Sequence, residues 1–303
     1  MPLCAVSVDL DEIPNYTQIH GLKNAEVNAT AVYDVGVARL REWARGLGIP
    51  LTLFVIGTDL AREKAVHELS GAIAEGDEIS NHSLSHRYDL TRLPESEMEA
   101  EIIGGRDRIQ EKLGVRPVGF RAPGYVITDE VFEVLRRAEV LYDSSVFPCP
   151  SYQLAKAGII SGMSLLGRTS RSVIDTPQIL RAPIDPYRVG EPYWRKGSGV
   201  LELPIQVTRR LRLPFIGTSV TGAGPGLARR LALGCLKSPL VNFELHGIDV
   251  LDRNDGLEAL APYQRDVRVP LARKLKALTT AVETLRAGGY KFVTMKDAAR
   301  TFA

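Results

Sequence analysis

The 303-residue chain has few cysteines, few histidines, hardly any net charge and no long apolar run, and each shortage narrows the field. Its three cysteines, Cys4, Cys149 and Cys235, stand far apart with no C-x-x-C spacing. That excludes a disulfide framework and suits buried thiols in a reducing compartment. A formal charge of +2 gives no overall case for nucleic acid as a partner. No stretch approaches the roughly 20 apolar residues that span a bilayer. The start, Met1-Pro2-Leu3-Cys4-Ala5-Val6, has no basic region or cleavage site, so the expected location is cytoplasmic. Internal repeats, low-complexity segments and interdomain linkers are also missing. What remains is 45% hydrophobic and 24% charged, the balance of an ordinary globular chain with ample core. The expected organisation is a single domain over 1–303, with a less regular insertion at about 151–240.

Two of the five histidines lie four apart, in Asn81-His82-Ser83-Leu84-Ser85-His86. If the segment after Ser80 forms one helical turn, both imidazoles share a face and point at one spot. Converging neutral imidazoles suit a borderline divalent metal such as zinc. H-x-x-x-H also arises on ordinary helix surfaces, so a carboxylate, a base and an acid must come from elsewhere.

The first strand supplies carboxylates. From Cys4 to Asp11, alternation sets Ala5, Ser7, Asp9 and Asp11 on one face and Val6, Val8 and Leu10 on the other. Two inward carboxylates side by side are costly unless a cation lies between them. One aspartate would bind a metal while the other stays available as a base. D-x-D also serves glycosyltransferases that hold nucleotide sugars through a metal, and that alternative stands at this point.

Asn15 to Thr30 is polar and irregular and is expected to be a loop, from which His20 would either touch substrate or stand as a solvated loop histidine. Ala31–Leu47 shows helical spacing, and Leu51–Ile56 is a continuous apolar run, the mark of a strand buried on both faces. Pro94–Leu113 is a helix with acidic residues at its positive end. Val118–Tyr125 is a strand breaking into a Pro-Gly turn, Val140–Ser145 another strand, and Val241–Gly247 a last inner strand ending at His246. Alternating strands and helices predict a parallel sheet, whose chemistry gathers at the carboxyl ends of the strands. Asp9, Asp11, His82, Arg121, Asp143 and His246 all fall there.

The middle of the chain is less legible. Tyr187, Tyr193, Trp194 and Arg195 fit either a sugar-binding cleft or packing under a long loop. The 208–236 segment concentrates arginines around apolar stretches, a pattern for peripheral contact with an anionic membrane face or for a solvated helix. Nothing in the chain fixes an oligomeric interface.

Together these residues carry a resemblance. Val8-Asp9-Leu10-Asp11, His82-Ser83-Leu84-Ser85-His86, Arg121-Ala122-Pro123-Gly124-Tyr125, Leu201-Glu202-Leu203-Pro204 and Leu245-His246 resemble, in order and approximate spacing, the motifs of the polysaccharide deacetylase (NodB-homology, carbohydrate esterase family 4-like) group. The glycosyltransferase alternative does not need the rest of that set and falls away. The resemblance implies an α/β fold, a distorted (β/α) barrel with fewer than eight complete units, and one divalent metal, most often Zn2+. It implies Asp11, His82 and His86 as metal ligands, Asp9 as general base, Arg121 as the residue that orients it, and His246 as general acid. A backbone N–H near Tyr125 would face the developing oxyanion, and Tyr125, His20 and Trp194 would contact substrate. Family members commonly have adjacent aspartates, whereas Leu10 intervenes here. That form resembles the branch holding deformylases and deacetylases of lipid-linked sugars and allantoinase-like amidases. The expected substrate is therefore an N-acylated sugar, small or carrier-linked. The alternatives are a cyclic amide or ureide, or sugar binding without catalysis.

Overall fold

A computed structural model of the chain describes residues 1–22, 26–165 and 176–303, with the backbone alone over 159–165. Its strands are β1 (Leu3–Asp9), β2 (Leu51–Val55), β3 (Glu78–Asn81), β4 (Gly119–Phe120), β5 (Tyr142–Asp143), β6 (Tyr187–Val189), β7 (Lys196–Glu202), β8 (Leu240–His246) and β9 (Lys291–Phe292). Its α-helices are α1 (Ile13–Ile19), α2 (Val37–Leu47), α3 (Glu63–Ala74), α4 (Glu95–Leu113), α5 (Asp129–Arg137), α6 (Pro150–Leu165), α7 (Gly217–Ala223), α8 (Pro225–Cys235), α9 (Leu271–Ala287) and α10 (Met295–Phe302).

The strands form one curled sheet in the order β6-β7-β5-β4-β3-β2-β1-β8, with β9 added to the start of β1. Every pairing is parallel except β6 with β7. Every residue of β1 and β2 is buried, as expected of parallel strands covered on both faces. Beyond β7, among the described residues, no regular strand fills the gap between β5 and β8. Instead Leu203, Ile205 and Gln206 donate to the carbonyls of Asp143, Val146 and Asn242 at 2.9, 3.0 and 3.2 Å. That irregular bridge closes the curl, and the result is the expected distorted barrel.

Register sets the height of the chemistry. Asp9 lies opposite both Phe54 and His246, Asn81 opposite Phe120, Phe120 opposite Asp143, and Asp143 opposite Glu202. The carboxyl ends of neighbouring strands thus finish at one level, and the residues just beyond them, His82 and Arg121, begin the site's rim. The largest core cluster joins this sheet to α2, α8 and α9 through residues such as Val6, Leu40, Leu231, Phe243 and Leu278.

Two expected elements differ. The stretch after Asp11 is not wholly loop, since α1 forms there. Glu12 accepts a hydrogen bond from Ile13 N, Pro14 occupies the first turn, and Ile13 and Tyr16 are buried. The strand expected over Val140–Ser145 shrinks to Tyr142–Asp143, because Asp143 bonds locally to Ser145 N and Oγ at 3.0 and 2.9 Å. In the 151–240 stretch lie α6, the β6–β7 hairpin, α7 and α8. Among the described residues no helix is long and apolar enough to cross a membrane.

Candidate active site

His82 follows β3 directly, and His86 comes four residues later, but no helical turn brings them together. Ser83 and His86 adopt φ of 70° and 57°, left-handed values that interrupt a helix. Asn81 Oδ1 accepts from Ser83 N at 3.1 Å and Ser83 Oγ accepts from His86 N at 3.0 Å. Such side-chain bonds to the backbone compete with a helical ladder and here replace it. The loop is pressed onto α4 at Gly105, where a Cβ would come within 2.4 Å of Asn81 Oδ1. Only glycine permits that approach. The two imidazole centroids end 4.9 Å apart.

Asp11 completes the set just past β1. Its Oδ1 lies 3.2 Å from His82 Nε2 and 3.2 Å from His86 Nε2. His82 Nδ1 donates to the Arg121 carbonyl at 2.8 Å, which fixes the tautomer and leaves Nε2 as the lone-pair nitrogen. Asp11 Oδ1 and His86 Nε2 are buried without a hydrogen-bond partner, although native buried polar atoms are ordinarily satisfied. Donors about 2.0–2.1 Å from a tetrahedral ion lie about 3.3 Å from each other. Spacing, burial and donor chemistry therefore fit a divalent ion held by Asp11, His82 and His86. Burial by itself would raise the Asp11 pKa, but the facing imidazoles, His86 first, hold it well below the usual carboxylate range. Replacing either histidine by alanine is expected to strip the ion. Metal analysis should find about one equivalent in the wild type and much less in His82→Ala and His86→Ala.

Asp9 stands beside this group, only 1% exposed. Its Oδ1 accepts from Arg121 Nη1 at 2.6 Å, and its Oδ2 lies 3.8 Å from His82 Nε2. Arg121 is wholly buried, yet each arm of its fork is used. Nη2 donates to Ser7 Oγ and Ser144 Oγ at 2.8 Å each, Nε donates to the Ser144 carbonyl at 2.9 Å, and the guanidinium lies 4.1 Å over the Phe54 ring.

His246 ends β8. Its Nε2 meets the Tyr125 hydroxyl at 3.2 Å, and its backbone N–H donates to Asp249 Oδ2 at 2.8 Å. Nδ1 lies 2.9 Å from Glu244 Oε1, within ion-pair range but outside hydrogen-bond alignment. Glu244 was not singled out from the sequence, though the signal existed. Residues two apart on a strand share a face, so Glu244 had to accompany His246.

Asp9, Asp11, His82 and His246 floor a pocket of about 310 Å3 walled by Tyr16, Tyr88, Tyr125 and Tyr152, with Lys156 of α6 among the lining residues. Tyr16, Tyr152 and Lys156 carried no sequence signal, because only tertiary docking of α1 and α6 brings them here, whereas Tyr88 comes with the loop that carries His86. Two substrate-contact expectations need correction. His20 pairs with Gln264 Oε1 at 2.9 Å beside Tyr263, so that end of α1 turns away and Tyr16 and Ile19 face the pocket instead. Trp194 packs edge-on against Tyr193 at 5.1 Å in the hydrophobic cluster that includes Phe132, outside the pocket. The Tyr125 N–H is also committed, donating to the Ala122 carbonyl at 3.1 Å. What Tyr125 presents to the pocket is its side chain. A larger cleft of about 500 Å3 lies between α5 and the β6–β7 hairpin, but among the described residues no ligand-spaced group of carboxylates and imidazoles gathers there. The ligand-spaced groups border the smaller pocket instead.

Residues 37–142 match the Polysaccharide deacetylase family profile. A peptidoglycan deacetylase-like protein of Gibberella zeae is 32% identical over 148 residues, 46% of this chain and 43% of that protein. A peptidoglycan-N-acetylglucosamine deacetylase of Bacillus cereus is 32% identical over 87 residues, 29% of this chain and 39% of that protein. In fold, a Mycobacterium smegmatis crystal structure described as a polysaccharide deacetylase superposes with a TM-score of 0.63 at 17% identity, over 99% of this chain and 90% of that one. Over residues 37–142 the chain is similar to the polysaccharide deacetylase family, the NodB-homology group. The family 4 acetyl xylan esterase of Clostridium thermocellum, solved with a cobalt ion, shares the fold at a TM-score of 0.50 and 13% identity, over 97% of this chain and 89% of that one. The matched stretches span less than half the length of the two curated deacetylase relatives.

Proposed function

We propose that the chain is a divalent-metal-dependent amidohydrolase that removes an N-acyl group, acetyl or formyl, from an amino sugar. The observation that carries this reading is the Asp11–His82–His86 cluster, whose Asp11 and His82 line one pocket with Asp9 and His246. Support comes also from the Bacillus cereus relative, a deacetylase of peptidoglycan N-acetylglucosamine, and from the cobalt ion of the Clostridium thermocellum esterase.

A divalent ion bound by Asp11, His82 and His86 supplies Lewis acidity to an amide carbonyl and to water, zinc being suited to this donor set. Asp9 Oδ1 is engaged by Arg121, so Oδ2 is the atom that takes a proton from the attacking water. The water oxygen bonds to the acyl carbon, the C–N bond breaks, and the amine nitrogen departs with a proton from His246 Nε2. Burial works against a charged His246, but Glu244 above all, with Asp11 and Asp9 behind it, raises its pKa well above that of an ordinary imidazole. That direction favours the protonated ring, which loses its proton only as pH rises through the elevated value. Glu244→Gln removes the largest stabilising charge, so the alkaline limb of its kcat/KM–pH profile should move to lower pH than the wild type's. An unmoved limb would remove His246 from the role of acid.

The sugar is a small or carrier-linked intermediate. A carrier at the cytoplasmic membrane face is supported by Leu211, 74% exposed, and by Leu213 and Leu227 beside the exposed Arg210, Arg229 and Arg230 of the 208–236 segment. The test is acetate or formate release from free, nucleotide-linked and polyprenyl-phosphate-linked N-acyl amino sugars. Release from at least one class, lost in Asp9→Asn, is expected. No release from any would contradict the reading.

A further inference from the structure

Strand β8 sets Asn242, Glu244 and His246 on one face. Asn242 is fully engaged: its Oδ1 accepts from Ser7 Oγ at 2.8 Å, and its Nδ2 donates to Ser144 Oγ at 2.9 Å and to the Leu203 carbonyl at 3.1 Å. Glu244 is not. It is 0% exposed, and among the described residues it is the one carboxylate whose two oxygens are both buried without a hydrogen-bond partner. An unpaired carboxylate in such a place is costly. Neighbouring donors are engaged elsewhere. Ser7, opposite Glu244 in register, donates to Asn242. The Arg121 guanidinium feels the Glu244 charge but directs its hydrogen bonds to Asp9, Ser7 and Ser144.

What does approach Glu244 is a second orphan. His246 Nδ1 lies 2.9 Å from Glu244 Oε1, outside hydrogen-bond alignment, and is itself buried without a partner. His246 Nε2 meets the Tyr125 hydroxyl, which suits the neutral tautomer with its proton on Nε2 and its lone pair on Nδ1. Register sets Asp9 opposite His246, and one ligand atom from each of Asp9, Glu244 and His246 lies within 4.8 Å of the others. Two carboxylate oxygens and an imidazole nitrogen suit a divalent transition ion. The 2.9 Å between Nδ1 and Oε1 is close to the ~3.3 Å between donors on one tetrahedral ion. Asp9 also reaches toward the first cluster, with Oδ2 3.8 Å from His82 Nε2, so it stands between two donor sets.

We infer that Asp9, Glu244 and His246 form a second divalent-ion site, weaker than that of Asp11, His82 and His86, and that zinc bound there switches the enzyme off. The site is the weaker one because Asp9 already shares its charge with Arg121 at 2.6 Å and because an ion in the first cluster repels a second cation. The inhibitory half rests on the deacylase reading above. An ion on Asp9 takes the lone pair that accepts the proton of water. On His246 Nδ1 it displaces the imidazolium that protonates the amine. Proton and ion are thus alternatives at His246, and Glu244 is the counter-charge for either.

Chelator-stripped wild type, His82→Ala, Glu244→Gln and His246→Gln are titrated with zinc by equilibrium dialysis and metal analysis. The wild type should bind two equivalents in two separate steps. His82→Ala should lose the tighter step and keep the weaker. Glu244→Gln and His246→Gln should keep the tighter step, which also shows that they are folded. Their weaker step should lose more than the roughly 10–100-fold in affinity that removal of an outer partner costs. A single step in the wild type overturns the site, and so does a second step unchanged in either variant. Acetate release by the wild type should reach its plateau with the first equivalent. It should then fall by at least about 100-fold as the second step fills, the contribution of one positioned acid or base. A rate that holds or rises over the second step overturns the inhibitory role and leaves the deacylase reading intact. If no acetate is released at any loading, that reading and the inhibition fail together, and the binding steps alone decide the site.

Discussion

Asp9→Asn is expected to lower kcat by about a thousandfold, within the 10²–10⁴ that a positioned general base contributes, while the bound metal stays at the wild-type level. The separation follows from the division of labour between the two aspartates. Asp11 faces both imidazoles at 3.2 Å, whereas Asp9 comes no nearer than 3.8 Å to His82 and gives its Oδ1 to Arg121. The asparagine keeps an oxygen for Arg121 and leaves the ligand set untouched, so ion content should not change. What it lacks is basicity at the second oxygen. Single-turnover acetate release with metal analysis on the same sample checks both halves. Loss of activity together with loss of metal would move Asp9 into the ligand set.

The second large effect is on stability. Arg121→Met is expected to cost about 3–5 kcal/mol, the penalty for leaving one partner of a buried pair unmatched. Arg121 is 0% and Asp9 1% exposed, their contact is 2.6 Å, and the guanidinium also holds Ser7 and Ser144. Methionine fills much of the volume over Phe54, so the loss comes from the stranded carboxylate and the serine hydroxyls rather than from a cavity. Because Asp9 is the stranded charge, Asp9→Asn/Arg121→Met should recover part of the loss, and the coupling should stand clear of additivity. Urea unfolding of the four proteins measures it. Additive effects would mean that the pair does not act as a unit.

The ends of the strands were the legible part of this site. A parallel sheet delivers polar residues to one rim, so polar endings on otherwise apolar strands at Asp9, Arg121 and His246 pointed there without any knowledge of pairing. The structure adds the register that sets Asp9 level with His246. The histidine pair was legible as a pair but not in its conformation. Spacing alone suggests a helical turn, and the outcome was decided by Asn81 and Ser83 side chains bonding to the backbone. The seven-residue α1 escaped notice because its segment is polar and too short for a periodic signal, its start being set by the Glu12 cap.

Tertiary docking was least legible. Nothing in the sequence says that α6 folds over the pocket to bring Tyr152 and Lys156 to its wall, or that Trp194 turns instead toward Tyr193. An aromatic residue in an irregular stretch fits a cleft and a core equally well until its neighbours are known. Glu244 is the exception, since strand alternation from His246 was enough to place it.

The central claim is that an ion at Asp11, His82 and His86 and the base Asp9 act on one N-acyl bond. Its most direct test is zinc titration of chelator-stripped protein, with acetate release from an N-acetyl amino sugar as the readout. Release should be absent without metal, rise to a plateau near one equivalent in the wild type, and stay near zero throughout the titration in Asp9→Asn. Full release from the stripped protein, or a wild-type plateau in Asp9→Asn, would contradict the account.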